Sequence, residues 1–182
     1  MNLPNKITLA RVCLIPVYLY VYLAQPLSPV PNMWLALVIF SVASITDAVD
    51  GYIARKYGLV SNFGKLMDPL ADKLLVCAAL VAFVASGTLQ AWVVVLLISR
   101  EFFVSGFRQL AVEQGKVLAA SNSAKFKTIT QIVLIIYLLV PIQMLRFDWM
   151  VVALVVVTTA ASLYSGIEYA VRNREVFGGD SI

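Results

Sequence analysis

The chain has 182 residues and a mass of 20.0 kDa; 61% of its residues are hydrophobic, 13% are charged, and its mean hydropathy is +0.88. A water-soluble domain of this size cannot hide so much apolar surface, so the solvent is lipid, and a secreted disulfide scaffold, a disordered chain and an ordinary cytosolic enzyme are excluded. The chain has no histidine, which removes any imidazole base, His-ligated zinc or Ser-His-Asp triad.

Charge-free stretches set the predicted elements. Nothing between Arg11 and Asp47 is charged, and Pro26, Pro29 and Pro31 interrupt the stretch in its middle. A membrane span needs about 20 residues, so this reads as two helices, near 7–24 and 33–56, joined by a proline turn. A cleaved signal peptide is the competing reading of the first segment, but cleavage after Ala24 would put Tyr22 where a small residue is required. Asn5 and Thr8, just before the first span, are placed to cap its helix or to hydrogen-bond a ligand, capping being the simpler reading for Thr8. The next uncharged stretch, Leu74 to Ser99, is broken by Ser86-Gly87-Thr88 and gives a third helix near 65–86 and a fourth near 89–112. Thr128–Leu145 and Trp149–Ile167 supply the fifth and sixth. Cys13 and Cys77 lie within these apolar segments and read as small buried hydrophobes rather than redox partners.

The expectation is an all-α integral membrane protein of six transmembrane helices, with residues 1–182 forming a single domain. Six spans place both termini on one side. Nearly all lysines and arginines then fall on the side of the N-terminus, with Arg146 alone in an outer loop and Arg100 within the fourth span, which predicts cytoplasmic termini. Trp34, Trp92 and Trp149 fall at the starts of the even-numbered spans, as an outer interfacial belt would require. The net charge of +4 is thus explained by topology, and no nucleic acid partner is implied.

Only ten residues are acidic, and four of them fall between Asp47 and Asp72. The arrangement reads Asp47-x2-Asp50-Gly51-x2-Ala54-Arg55-x8-Gly64-x3-Asp68-x3-Asp72. At 100° per residue, Asp47, Asp50, Gly51 and Ala54 share a wedge of about 100° on the second helix, and Gly64, Asp68 and Asp72 one of about 80° on the third. A short connection makes these helices antiparallel neighbours, so their acidic faces can meet, and Gly51 and Gly64 permit close approach of backbone or ligand. Four carboxylates beside a bilayer cannot all stay ionised without counter-charge. Two divalent cations balance them, and an oxygen-only ligand set selects magnesium or manganese over zinc. Two such ions sharing carboxylates suit displacement at a phosphoryl group. The competing readings are helix-packing aspartates paired with Lys65 or Lys73, and the ion pathway of a cation channel or transporter.

The full eight-position pattern resembles the signature of the CDP-alcohol phosphatidyltransferases, with no position missing. The likeness extends to Leu3-Pro4-Asn5-Lys6-Ile7-Thr8-Leu9-Ala10-Arg11, to Ser99-Arg100-Glu101, to Ser105-Gly106-Phe107-Arg108 and to Ser165-Gly166-Ile167-Glu168-Tyr169. These flanking segments resemble the branch of the family whose acceptor is glycerol 3-phosphate. The resemblance implies a six-helix homodimeric enzyme of a bacterial cytoplasmic membrane, its site open to the cytosol. Such an enzyme transfers a phosphatidyl group from CDP-diacylglycerol to sn-glycerol 3-phosphate and releases CMP. By the same resemblance Asp47, Asp50 and Asp68 are metal ligands and Asp72 is the base and lies close to a metal, in keeping with two magnesium or manganese ions shared by the four carboxylates. The resemblance also implies that Gly51, Ala54, Arg55 and Gly64 surround the cytidine diphosphate of the donor, and Asn5 and Thr8 are the further residues placed to hydrogen-bond it.

The acceptor is a dianion and needs cations apart from the metals. Arg108, Lys116, Lys125 and Lys127 lie around the inner ends of the fourth and fifth helices. Arginine grips a phosphate through two parallel bonds and lysine adds a point charge, so Arg108, Lys125 and Lys127 are the expected acceptor-phosphate residues. Lys116 reads more simply as a headgroup contact. Arg100 with Glu101 reads as a structural ion pair or as a support behind the site residues, since an unpaired charge at that depth would be expensive.

Overall fold

The computed structural model describes the backbone of residues 3–56, 62–113, 121–141 and 147–173, and the side chains of these residues except 3–6, 47–56, 62–69, 72 and 113. Among the described residues every regular element is helical: α1 (Leu3–Leu19) with a π-helical turn (Tyr20–Ala24), α2 (Pro29–Lys56), α3 (Asn62–Ala85), α4 (Ala91–Glu113), α5 (Asn122–Leu139) and α6 (Asp148–Arg172). They fall into two compact units, Met1–Leu89 with Leu138–Gln143, and Gln90–Tyr137 with Met144–Ile182.

Helix α6 turns hydroxyls inward and large apolar side chains outward, the reverse of a helix on a soluble protein. Thr158, Ser162 and Ser165 of α6 are buried, while Val152, Val156, Leu163, Ile167 and Val171 of the same helix are exposed. Such a surface is stable only against hydrocarbon. Among the described residues, three stretches are long and apolar enough to cross a membrane: Ile7–Ala24, Pro29–Thr46 and Asp148–Arg172. Trp34, Trp92 and Trp149 stand exposed within the first two turns of α2, α4 and α6.

In the first unit α1 packs on both α2 and α3. Tyr18, Phe40 and Phe83 are fully buried there, and the small residues Ala36, Ala43, Ala71 and Ala79 let the helices approach closely. The π turn brings Tyr22 edge-on to Phe83 at 5.5 Å and lets its hydroxyl share a 3.1 Å hydrogen bond with Ser86. Gln25, at φ 46°, turns the chain out of the helix. The Asn32 amide then donates to the carbonyls of Leu27 (2.7 Å) and Ser28 (3.0 Å) and accepts from the Leu27 N–H, pinning the turn to α2. Gly87 (φ 71°) closes α3, with the N–H groups of Thr88 and Leu89 both donating to the Phe83 carbonyl.

The second unit is built on α4 against α6, where Phe107 meets Tyr169 edge-on at 5.8 Å beside Val104 and Ala111. The Thr158 hydroxyl donates to the Thr130 carbonyl (3.3 Å) and ties α6 to α5.

Several boundaries differ from the sequence reading. Helix α2 begins at Pro29, not near residue 33, because a first helical turn needs no N–H donors and accepts proline. Helix α5 runs over Asn122–Leu139 instead of 128–145: Pro141 disfavours helix at the residue before it, and Lys125 and Lys127 lie inside the helix. Since α1 already starts at Leu3, Thr8 is in its second turn and does not cap it. Cys13 is exposed rather than buried, which costs a thiol little when the neighbour is lipid. The polar connection near Lys116 and the C-terminal tail lie outside the described residues.

Candidate active site

Helix α2 runs unbroken through Asp47, Asp50, Gly51, Ala54 and Arg55, and α3 through Gly64, Asp68 and Asp72. Their spacing in sequence is therefore spacing on a helix face. The two helices pack in one unit and are joined by residues 57–61 alone, so the last turns of α2 neighbour the first turns of α3. The side chains of all eight motif residues, and of Asn5, lie outside the described residues. Elsewhere, among the described residues, no three acidic or cysteine side chains gather as a metal site would require. The donor set of the motif is carboxylate oxygen only, which fits a hard divalent ion.

Position on this face is fixed from α1. Arg11 is 1% exposed, and its Nε donates to the Ala43 carbonyl at 3.1 Å. Ala43 lies one turn before Asp47 on the same stripe of α2, and its carbonyl also accepts from the Thr46 hydroxyl at 2.9 Å. Between helices in lipid, where apolar contact gives no net drive, a charged donor on a backbone carbonyl is a directional lock. Thr8, three residues before Arg11 on the same helix, is buried as well. In the sequence Arg11 is an inner-side charge that closes the Leu3–Arg11 segment; its partner, 32 residues away, is a main-chain oxygen, which no side-chain pattern reveals.

The basic residues belong to the second unit. Arg108 on α4 and Lys125 on α5 are exposed. Lys127 is 1% exposed and forms an ion pair with Oε1 of Glu101 on α4. The other oxygen of Glu101 lies 3.7 Å from Nη1 of Arg100, and Nη2 of Arg100 donates to Oγ of Ser165 on α6 at 2.6 Å. The expected pairing of Arg100 with Glu101 is thus present and reaches both neighbouring helices. Close by in sequence, Ser121 shares a 2.7 Å hydrogen bond with Ser123, which in turn donates to Glu168. A groove of about 620 Å³ runs along Asn122, Phe126, Val157, Ala161 and Tyr164; among the described residues, Thr8, Arg108, Lys125 and Lys127 do not line it.

The comparisons with known proteins bear on the whole chain. Residues 1–161 match the family model described as CDP-alcohol phosphatidyltransferase. The CDP-diacylglycerol–glycerol-3-phosphate 3-phosphatidyltransferase of Bacillus subtilis is 44% identical, with 96% of each chain covered. The protein of that name from Rickettsia bellii is 42% identical over 71% of this chain and 70% of its own. A probable phosphatidylglycerophosphate synthase of Mycobacterium tuberculosis is 36% identical over 98% of this chain and 84% of its own. With an intact aspartate motif on two packed helices and a family match that runs through five of the six helices into the sixth, this chain belongs to the CDP-alcohol phosphatidyltransferases.

Proposed function

We propose that this enzyme moves the phosphatidyl group of CDP-diacylglycerol, the donor in the names of its relatives, onto sn-glycerol 3-phosphate, the acceptor in those names, giving phosphatidylglycerophosphate and CMP. The observation that carries the reading is the complete motif from Asp47 to Asp72 on two helices that pack together. In the reaction the acceptor hydroxyl oxygen bonds to the phosphatidyl phosphorus as the bond from that phosphorus to the CMP oxygen breaks. Asp72, as base, takes the hydroxyl proton, and CMP leaves with the electron pair. Asp47, Asp50, Asp68 and Asp72 would hold two magnesium or manganese ions. Bound there, such ions supply charge neutralisation for the diphosphate and its leaving oxygen.

The remaining residues bind and orient. Gly51, Ala54, Arg55 and Gly64, together with Asn5 and Thr8, surround the cytidine diphosphate. Arg108, Lys125 and Lys127 take the acceptor phosphate, the first two from exposed positions and Lys127 from its place beside Glu101. We place the chain in a bacterial cytoplasmic membrane as one six-span catalytic domain, with termini and site on the cytoplasmic side and two copies forming a homodimer. The lipid donor then enters sideways from the bilayer while the soluble acceptor arrives from water.

The test is release of CMP by purified protein from CDP-diacylglycerol, with glycerol 3-phosphate, inositol phosphate, serine and phosphatidylglycerol offered in parallel. Magnesium-dependent release fastest with glycerol 3-phosphate is the expected result. Faster release with serine or phosphatidylglycerol would leave the chemistry standing and overturn the acceptor.

A further inference from the structure

We propose that Glu101 is a positioning residue for acceptor recognition: its carboxylate, divided between Lys127 on α5 and Arg100 on α4, holds the Lys127 ammonium where the phosphate of the acceptor is received. The inference rests on the assignment of Lys127 to that phosphate. The geometry lies wholly within the second unit. Lys127 is 1% exposed, and the side chains of Arg100 and Glu101 are 9% and 17% exposed, so all three charges are withdrawn from bulk water. Oε1 of Glu101 meets Lys127 and Oε2 faces Arg100 at 3.7 Å, so neither oxygen can turn without losing a cation. Arg100 is itself held by its 2.6 Å bond to Ser165, which braces the carboxylate from α6. The hydroxyl of Ser105 donates to the Glu101 carbonyl at 2.6 Å and stiffens that turn of α4.

A lysine side chain is a long flexible stem ending in a compact charge, so a lysine binds a small anion well only when something fixes its end. Glu101 does so from a neighbouring helix. The three residues together carry one net positive charge, which complements a phosphate dianion, whereas a lone buried lysine would tend to shed its proton. Arg108 follows Glu101 by seven residues, two turns along the same stripe of α4, so the exposed arginine and the braced lysine are set by one helix. An ion pair that merely bolts α4 to α5 would be indifferent to the acceptor.

The experiment compares Glu101→Gln, Lys127→Met and the double variant by CMP release, varying each substrate in turn. Loss of Lys127 should raise the KM for glycerol 3-phosphate at least tenfold. Loss of Glu101 should raise it by a similar factor while the KM for CDP-diacylglycerol stays within twofold, and the double variant should be no worse than Lys127→Met alone. Glu101→Asp, which keeps the charge but withdraws it by one methylene, should give an intermediate rise and guards against a Gln variant that fails to fold. If the two single effects multiply in the double variant, or if Glu101→Gln impairs both substrates alike, Glu101 is a bolt and the proposal fails. If Lys127→Met leaves the KM for glycerol 3-phosphate unchanged, the assignment of Lys127 fails first and takes the role of Glu101 with it.

Discussion

Replacing Arg108 by alanine isolates the acceptor site from the fold. Arg108 is exposed near the end of α4, so its truncation opens no cavity and should change stability by no more than about 0.5 kcal/mol. A charge-assisted bond from its guanidinium to the acceptor phosphate contributes about 1.5–3 kcal/mol, which corresponds to roughly ten- to a hundredfold in affinity. On the proposed assignment the donor is held elsewhere, by the motif of α2 and α3, and should lose nothing. The assay is CMP release at saturating CDP-diacylglycerol with glycerol 3-phosphate varied, then the reverse. The KM for glycerol 3-phosphate should rise by that factor and the KM for CDP-diacylglycerol should not. Arg108→Lys keeps the charge without the planar fork and should fall between the two. Because the contact is exposed, added salt should raise the KM of the unaltered enzyme more than that of Arg108→Ala. An alanine variant with a KM for glycerol 3-phosphate within twofold of the parent, or with both KM values rising in step, refutes the reasoning.

Asp68→Asn should abolish turnover while the protein still inserts and purifies; near-parental activity at ordinary magnesium concentrations would remove Asp68 from the metal site. Topology is open to labelling of single cysteines at Asn2, Ser28, Thr88 and Ser181 in a background lacking Cys13 and Cys77, Cys13 being exposed. Residues 28 and 88 should react from outside intact cells and residues 2 and 181 only after permeabilisation, and the reverse pattern would overturn both the orientation and a cytosolic site.

The helices were legible because a charge-free run of span length is stable in hydrocarbon and insoluble in water, and the aspartate motif because four of ten acids crowd into 26 positions. The errors share one origin. Hydropathy treats a charge as a reason to end a span, yet Lys127 lies within α5, buried against Glu101. It treats proline as a loop, yet Pro29 and Pro31 sit where a helix has no N–H to lose. Arg11 was invisible for another reason: a bond from a side chain to a distant carbonyl leaves no trace in spacing. What the sequence shows is which residues prefer lipid, and what it hides is which polar groups have found one another.

The buried hydroxyls of α6, with Gln131 of α5, have a consequence for how this protein comes apart. Each helix keeps its own backbone bonds satisfied in hydrocarbon, so heat or detergent has little reason to uncoil it. What yields first is the set of polar and close-packed contacts between helices, such as Thr158 on Thr130 and Arg100 on Ser165. Far-ultraviolet dichroism should therefore stay nearly flat through the temperature at which activity is lost. The event that inactivates the enzyme is the separation of intact rods, and a tryptophan or tyrosine signal that senses neighbours, not a helicity signal, is the one that marks it.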